Sequence, residues 1–171
     1  MFRDESNAVV QKVARRQTAK NFPRPIAFSI EDRAKGFFFS HYILRKTKAF
    51  DYIQSFPPET DSRLCASLAA VSLAHFSIKA NSAKALEMAR LKYVSALRLT
   101  NEALQTRAQA TKDATFLSIL LLDLFEKVTR RTPQSVESWT KHISGALAIA
   151  KLRGAEQFDN LVGLRMFLQL S

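Results

Sequence analysis

DATFLSILLLDLFEKVTRR (Asp113–Arg131), TPQSVE (Thr132–Glu137) and SWTKHISGALAIAKLRG (Ser138–Gly154) follow one another in the chain, and their reading decides the fold. The first stretch is apolar on nearly every side, through Phe116, Leu117, Ile119, Leu120, Leu121, Leu122, Leu124, Phe125 and Val128. A helix with no polar face belongs among other helices. Asp113 stands at its start and Lys127, Arg130 and Arg131 at its end, the polarity that a helix dipole favours. Pro133 stops it. Ser135 is a good N-cap for the next helix. That helix carries Val136, Trp139, Ile143, Leu147 and Ala150 at spacings of three and four. Lys151 and Arg153 fall in its last turn, and Gly154 can take the left-handed closing position. The reading is a buried helix, a short turn and an amphipathic partner.

Composition agrees. The chain has 171 residues, enough for one domain with a real core. Apolar residues make up 47%, too many for disorder. Only 4 glycines and 5 prolines leave long helices uninterrupted and give strands no turn punctuation. The longest apolar run, Ala114–Leu122, is broken by Ser118 and closed by Asp123, well short of the roughly 20 residues of a membrane span. Met1–Val10 holds Arg3, Asp4 and Glu5 and no apolar core, so it does not read as a secretory signal.

The formal charge is +11, from 26 Lys and Arg against 15 Asp and Glu. Such a balance suits a polyanion partner or a nuclear setting. No block of five like charges occurs, so a generally basic surface is favoured over a dedicated nucleic-acid groove. With Cys65 the single cysteine, an internal disulfide or a thiolate zinc cluster cannot form in this chain. A reducing, intracellular context is the expectation.

Outward from the central stretch, Met1–Asn21 has a weak helical stripe (Val9, Val10, Val13, Ala14) with Lys12, Arg15, Arg16, Lys20 and then Arg24 opposite. This basic segment reads as a nuclear-import signal or a phosphate-contacting arm, weighed against a solvated helix face, which short basic clusters produce by chance more often. Pro23 and Pro25 make Phe22–Ser29 an extended connector. The domain division is therefore residues 1–30 as basic segment and connector, and 31–171 as one helical domain. Ser29 and Asp32 come close to a capping box for a helix over Glu31–Thr47. Its Phe37, Phe38 and Phe39 read as core packing in preference to a base-stacking platform. Phe50–Pro58 is an aromatic loop.

Ser62–Ile78 is expected to be amphipathic, with Leu64, Leu68, Val71 and His75 along one line and Cys65 beside it as a small buried hydrophobe. Asn81–Arg107 is a long helix with an inner stripe of Leu86, Ala89, Tyr93, Leu97 and Leu104. Its Ala83, Ala96 and Ala103 permit close approach. A short link then makes it antiparallel to the central helix. Gln157 and Asp159 open a last helix through Leu161, Val162, Leu164, Met166, Phe167, Leu168 and Leu170. Its apolar pattern meets no stop signal before Ser171, and we expect a truncated piece of something longer. The fold class is all-α, stacked antiparallel helical hairpins of roughly six or seven helices around Asp113–Arg131.

Catalytic constellations do not assemble. His41, His75 and His142 lie in different helices with no second ligand at i, i+4 spacing. Gly36, Gly145, Gly154 and Gly163 stand alone, and no G-x-S-x-G occurs. Asp123 and Glu126 lie one turn apart, but Lys127 and Arg130 beside them favour a simple ion-paired surface. An enzyme is not expected. Residue physics alone leaves a helical adaptor binding a partner peptide, which predicts an internal period of about 34–47 residues that the chain does not show. It also leaves a small-molecule sensor with a pocket near Trp139 and His142, and a nonfunctional fragment.

LLLDLFE (Leu120–Glu126), SWTKHISGALAIAKLRG (Ser138–Gly154) and RMFLQLS (Arg165–Ser171) resemble the regulatory domain of fungal zinc-cluster transcription factors. FRDES (Phe2–Ser6), the following KVARR (Lys12–Arg16) and DRAKGFFFSHYI (Asp32–Ile43) resemble the segments between zinc cluster and regulatory domain. These are core and turn residues, so the resemblance speaks to lineage. It implies transcriptional regulation in the nucleus, through protein partners of the transcription machinery, a full-length relative or a small-molecule effector, with no membrane. In that family a six-cysteine cluster holds two zinc ions and reads DNA. Cys65 alone cannot supply it, so zinc and DNA contact are expected only in a full-length relative. No cofactor, metal or catalytic residue is carried over.

Overall fold

The computed structural model describes residues 28–43, 48–56, 61–129 and 134–169, with the backbone only at 48, 49 and 134–143. In chain order its helices are α1 (Ile30–Phe37), continued by a π-helical segment (Phe38–Ile43); a 3-10 segment (Lys48–Ser55); α2 (Ser62–Lys79); α3 (Ala83–Leu104); the single-turn α4 (Arg107–Ala110); α5 (Asp113–Thr129); α6 (Gln134–Arg153); a second 3-10 segment (Ala155–Phe158); and α7 (Leu161–Leu168). No strand occurs among the described residues. The all-α expectation holds, with six longer helices.

Side-chain pairs set the directions. Tyr93 of α3 stacks on Phe125 of α5 with ring centroids 4.4 Å apart. Earlier in α3, Leu86 and Arg90 face Val128 and Thr129. Later, Ala96 packs on Leu122, and Leu104 shares a cleft with Ile119. Rising numbers in α3 meet falling numbers in α5, so the two are antiparallel, as the short link requires. Arg63 of α2 donates to Thr115 Oγ1 at 3.0 Å, and Ser77 lies beside Thr129, so α2 runs parallel to α5. Arg153 at the end of α6 pairs with Asp113 at the start of α5, so α6 is antiparallel to α5. Consequently α3 and α6 run in the same direction along α5.

α5 is as buried as its composition demands: Phe116, Leu117 and Leu121 have no exposed surface. α2 departs from the amphipathic expectation. Leu64, Leu68, Leu73 and Val71 are buried, but so are Ala66, Ala69, Ala70, Ala74, Ser67, Ser72 and Ser77. Its small residues let α3 and α5 close over faces that a hydropathy stripe would leave to solvent. The core is therefore built around α2 and α5 together, not around α5 alone.

The inner stripe of α3 is also corrected. The buried positions are Ala85, Ala89, Ala96, Thr100 and Ala103, while Leu86, Tyr93 and Leu97 are half-buried and Leu104 is 37% exposed. Ala96 and Ala103 do allow close contact, but Ala83 is exposed. Among the described side chains of α6, Ala146 and Ala150 are buried, Ile149 packs on the core and Arg153 pairs with Asp113, whereas Leu147 points out; the side chains of Val136, Trp139 and Ile143 lie outside the described residues. α6 begins at Gln134, so Ser135 lies inside it and not at its cap. Pro133, Arg130 and Arg131 lie outside the described residues.

At the N-terminal side the capping box is complete: Asp32 N–H donates to Ser29 Oγ and Ser29 N–H to the Asp32 carboxylate. The helix expected to Thr47 changes to π geometry at Phe38, where Ser40 Oγ donates back to the Gly36 carbonyl at 2.8 Å, and its residues 44–47 lie outside the described residues. Phe38 is fully buried and stacks on Tyr42, and Phe37 lies edge-on to Phe76. The aromatic cluster is core. The expected aromatic loop at Phe50 is instead a 3-10 segment that buries Phe50, Tyr52 and Ile53. Gln157 does not open the last helix. Its buried amide donates to the Ala150 and Gly154 carbonyls, and Asn160 caps α7. α7 docks through Met166, with Leu161, Leu164 and Leu168 outward.

Candidate functional site

A cleft of about 520 Å³ lies between α3 and α6, both of which pack on α5. α5 supplies its floor with Ile119 and Leu122, both buried. One wall is Leu97, Thr100, Asn101 and Leu104 of α3. Arg107 and Ala110 of α4 close that end, and Gly145, Ala148, Ile149 and Leu152 of α6 form the opposite wall. Its size falls in the range of about 300–1,000 Å³ typical of small-molecule sites.

Thr100 borders the cleft. It is 3% exposed, yet its hydroxyl has no hydrogen-bond partner. Helical serines and threonines ordinarily return the hydroxyl proton to a carbonyl one turn back. Ser67, Ser118 and Thr129 do so here, to Arg63, Ala114 and Phe125, each at 2.8 Å. Thr100 does not, and neither does Ser72 of α2; both hydroxyl oxygens are fully buried, so the Thr100 oxygen does not open into the cleft. At the α4 end of the cleft, Asn101 and Arg107 are exposed, and Arg107 forms no ion pair among the described residues.

Gly145 faces the same space. A glycine inside a helix costs about 1 kcal/mol relative to alanine. Close packing does not require it, because a Cβ there would meet nothing within 4 Å.

A second cavity of about 480 Å³ lies at the α2–α3 turn, where Asn81 takes a positive φ of 46° that asparagine tolerates. Its hydroxyls are already committed. Ser77 donates to Ala74 O, Ser82 caps α3, and Thr129 bonds back to Phe125 O. Asn81 and Arg90 supply its remaining polar groups.

The sequence-nominated residues fall elsewhere. Lys12, Arg15, Arg16, Lys20 and Arg24 lie outside the described residues, as do the side chains of Trp139 and His142. The cleft occupies the same helix as those two, but nearer its C-terminal end. His75 Nδ1 lies 3.1 Å from the Val71 carbonyl, and His41 Nδ1 lies 2.8 Å from Ser40 Oγ. No group of three His, Cys, Asp or Glu among the described residues could hold a metal. Cys65 is half-buried.

Asp123 and Glu126 do not form a surface cluster. Asp123 is 7% exposed and pairs with Lys127 at 2.7 Å, whereas Glu126 accepts from Tyr93 Oη. Burial first, and then the Glu126 bond, push the Tyr93 phenol well above its ordinary range. The carboxylates serve different helices and share no proton. At the closed end of α6, the Arg153 guanidinium pairs with Asp113 and covers the Phe116 ring at 5.0 Å, which fixes the cleft wall to its floor.

Sequence reasoning missed Thr100, Arg107 and Gly145 as a group. The available signal was a lone glycine inside a helical pattern and a threonine in an alanine stripe. Neither reveals that α3 and α6 face each other.

Among the described residues no helix is long and apolar enough to cross a membrane. Residues 43–170 match the family model described as the fungal specific transcription factor domain. That span contains all four helices of the cleft. No curated protein and no solved structure gives a significant match.

Proposed function

The chain belongs to the fungal specific transcription factor domain family, whose role is transcription regulation, and from that membership we propose that it is a regulatory helical module acting in the nucleus. It works through contacts with protein partners or a small effector, and not by reading DNA bases. The observation that carries this is the family match over 43–170, combined with Cys65 as the single cysteine of the 171 residues. A six-cysteine zinc cluster cannot be assembled from one thiol.

The net charge of +11 supports weak, salt-sensitive attraction to nucleic acid, which carries no sequence information. The basic segment Lys12, Arg15, Arg16, Lys20 and Arg24 is proposed as an import signal or a phosphate-contacting arm. Between the two contact modes, the size of the cleft, about 520 Å³, favours a small effector over a peptide adaptor.

The test is tethering. Fused to a heterologous DNA-binding domain, the chain should change reporter output several-fold relative to that domain alone, while the isolated chain shows no sequence preference in a DNA mobility shift. Specific binding to one DNA sequence that resists about 200 mM salt overturns the reading.

A further inference from the structure

We propose that the α2–α3 turn and the first half of α3 form a docking surface for an acidic, amphipathic protein segment. Its apolar side chains seat in the turn cavity and along Leu91 and Val94, and its carboxylates lie on Lys79, Lys84 and Arg90. The inference rests on the protein-contact arm of the proposed function and names that partner's chemistry. It concerns the opposite end of α3 from the α3–α6 cleft.

The surface combines exposed apolar groups with unpaired cations. Ile78 lines the turn cavity together with Leu86 and Val128, yet is 60% exposed. Arg90 lines the same cavity; Leu91 beside it and Val94 one turn on are 68% and 63% exposed. Lys79, Lys84 and Arg90 are exposed and form no ion pair among the described residues. Glu87 is the one acid between Ile78 and Val94. The other nearby cations are committed, Lys92 to Glu31 at 2.8 Å and Lys127 to Asp123 at 2.7 Å.

Charge and shape select the occupant. Three unmet cations against one acid attract a segment rich in Asp and Glu. A second copy would bring the same cations face to face, and each chain carries a net +11, so like-charge repulsion opposes self-association here. Nucleic acid also seeks cations, but single strands take aromatic platforms for stacking, and the exposed apolar groups here are aliphatic. A membrane surface requires apolar side chains that protrude together, whereas Ile78, Leu86 and Val128 surround a cavity. The surface is also too long for one small molecule. About three turns of helix, or about 16 Å, separate Ala83 at the cavity from Val94. That length matches a protein segment with apolar anchors on successive turns.

The experiment selects a displayed library of random peptides, about 12 residues long, on the immobilised full chain. The enriched peptides are then titrated by fluorescence anisotropy. Peptides with several Asp or Glu and at least a pair of large apolar residues should be enriched. Their affinity should fall about fivefold or more between about 50 and about 300 mM salt. Arg90→Glu should weaken them about tenfold or more, and Ile78→Ser about fivefold or more. Both side chains are exposed, so the helical circular dichroism should stay intact.

Enrichment of no peptide, or of basic or purely apolar ones, overturns the proposal, as does affinity unchanged in Arg90→Glu or in Ile78→Ser. Binding to vesicles of phosphatidylserine and phosphatidylcholine that Ile78→Ser abolishes, with no peptide enriched, makes a membrane the occupant and also overturns it. A chain that selects no peptide yet alters the tethered reporter loses this surface and keeps the regulatory role. A chain that selects acidic peptides and leaves the reporter unchanged does the reverse.

Discussion

Asp61 ties two helices together with one carboxylate. Its Oδ1 accepts from the backbone N–H of Arg63 at 3.0 Å and of Leu64 at 3.3 Å, which caps α2. The same side chain pairs with the Arg63 guanidinium, whose other arm reaches Thr115 of α5 at 3.0 Å. The Arg63 hydrogen bond holds the Asp61 carboxyl below its ordinary range, against a smaller opposing effect of burial. The folded-state pKa therefore lies below the unfolded one. The contribution is complete above the unfolded value, near about 4, and is lost as pH falls through the folded value. Wild type should lose stability more steeply below about pH 4 than Asp61→Asn, as read from urea midpoints at several pH values. Removing the cap altogether, in Asp61→Ala, should cost about 1 kcal/mol at neutral pH. Glu31 shifts in the same direction: burial raises it, but Lys92 at 2.8 Å and Lys35 at 3.0 Å prevail.

Individual elements are held by contacts that hydropathy does not register. Gly163 lies where α7 crosses the preceding 3-10 segment, and a Cβ there would stand 2.0 Å from the Gln157 carbonyl oxygen. That oxygen is backbone and cannot rotate away. Gly163→Ala should destabilise by about 1–3 kcal/mol and expose residues 155–169 to limited proteolysis. Gly36 is the control. Nothing lies within 4 Å of its would-be Cβ, so Gly36→Ala should be neutral or stabilising by up to about 1 kcal/mol in the same thermal melt. Gly154 is a different case. It follows α6 with φ 67° and ψ −159°, a combination essentially confined to glycine. The positive φ expected there is present, although the ψ is extended and not helical.

At the scale of the whole molecule, α5 lies against α2, α3, α6 and α7, so damage to it should unfold the chain as one unit. Leu121 is fully buried, and Leu121→Ala should cost about 2–5 kcal/mol in a single cooperative transition. Leu91 on α3 is 68% exposed, and Leu91→Ala should change stability by no more than about 0.5 kcal/mol. Both are read from denaturant melts followed by circular dichroism.

The sequence by itself determined that the chain is helical, where α5 and α6 lie, that α5 is buried, and that Ser29–Asp32 starts a helix. Those properties follow from periodicity and capping, which act over a few residues. Only the tertiary structure decided that α2 is buried all round, that Leu104 and Leu147 turn outward, and that Asp123 and Glu126 part to different partners. It also decided that Thr100, Arg107 and Gly145 border one cleft. The physical reason is common to these outcomes. A small residue such as Ala96 or Ser72 has no marked preference for water or core, so the neighbouring helix settles its burial. Likewise, the cleft between α3 and α6 exists because both pack on α5, and that relation belongs to no single stretch of the chain.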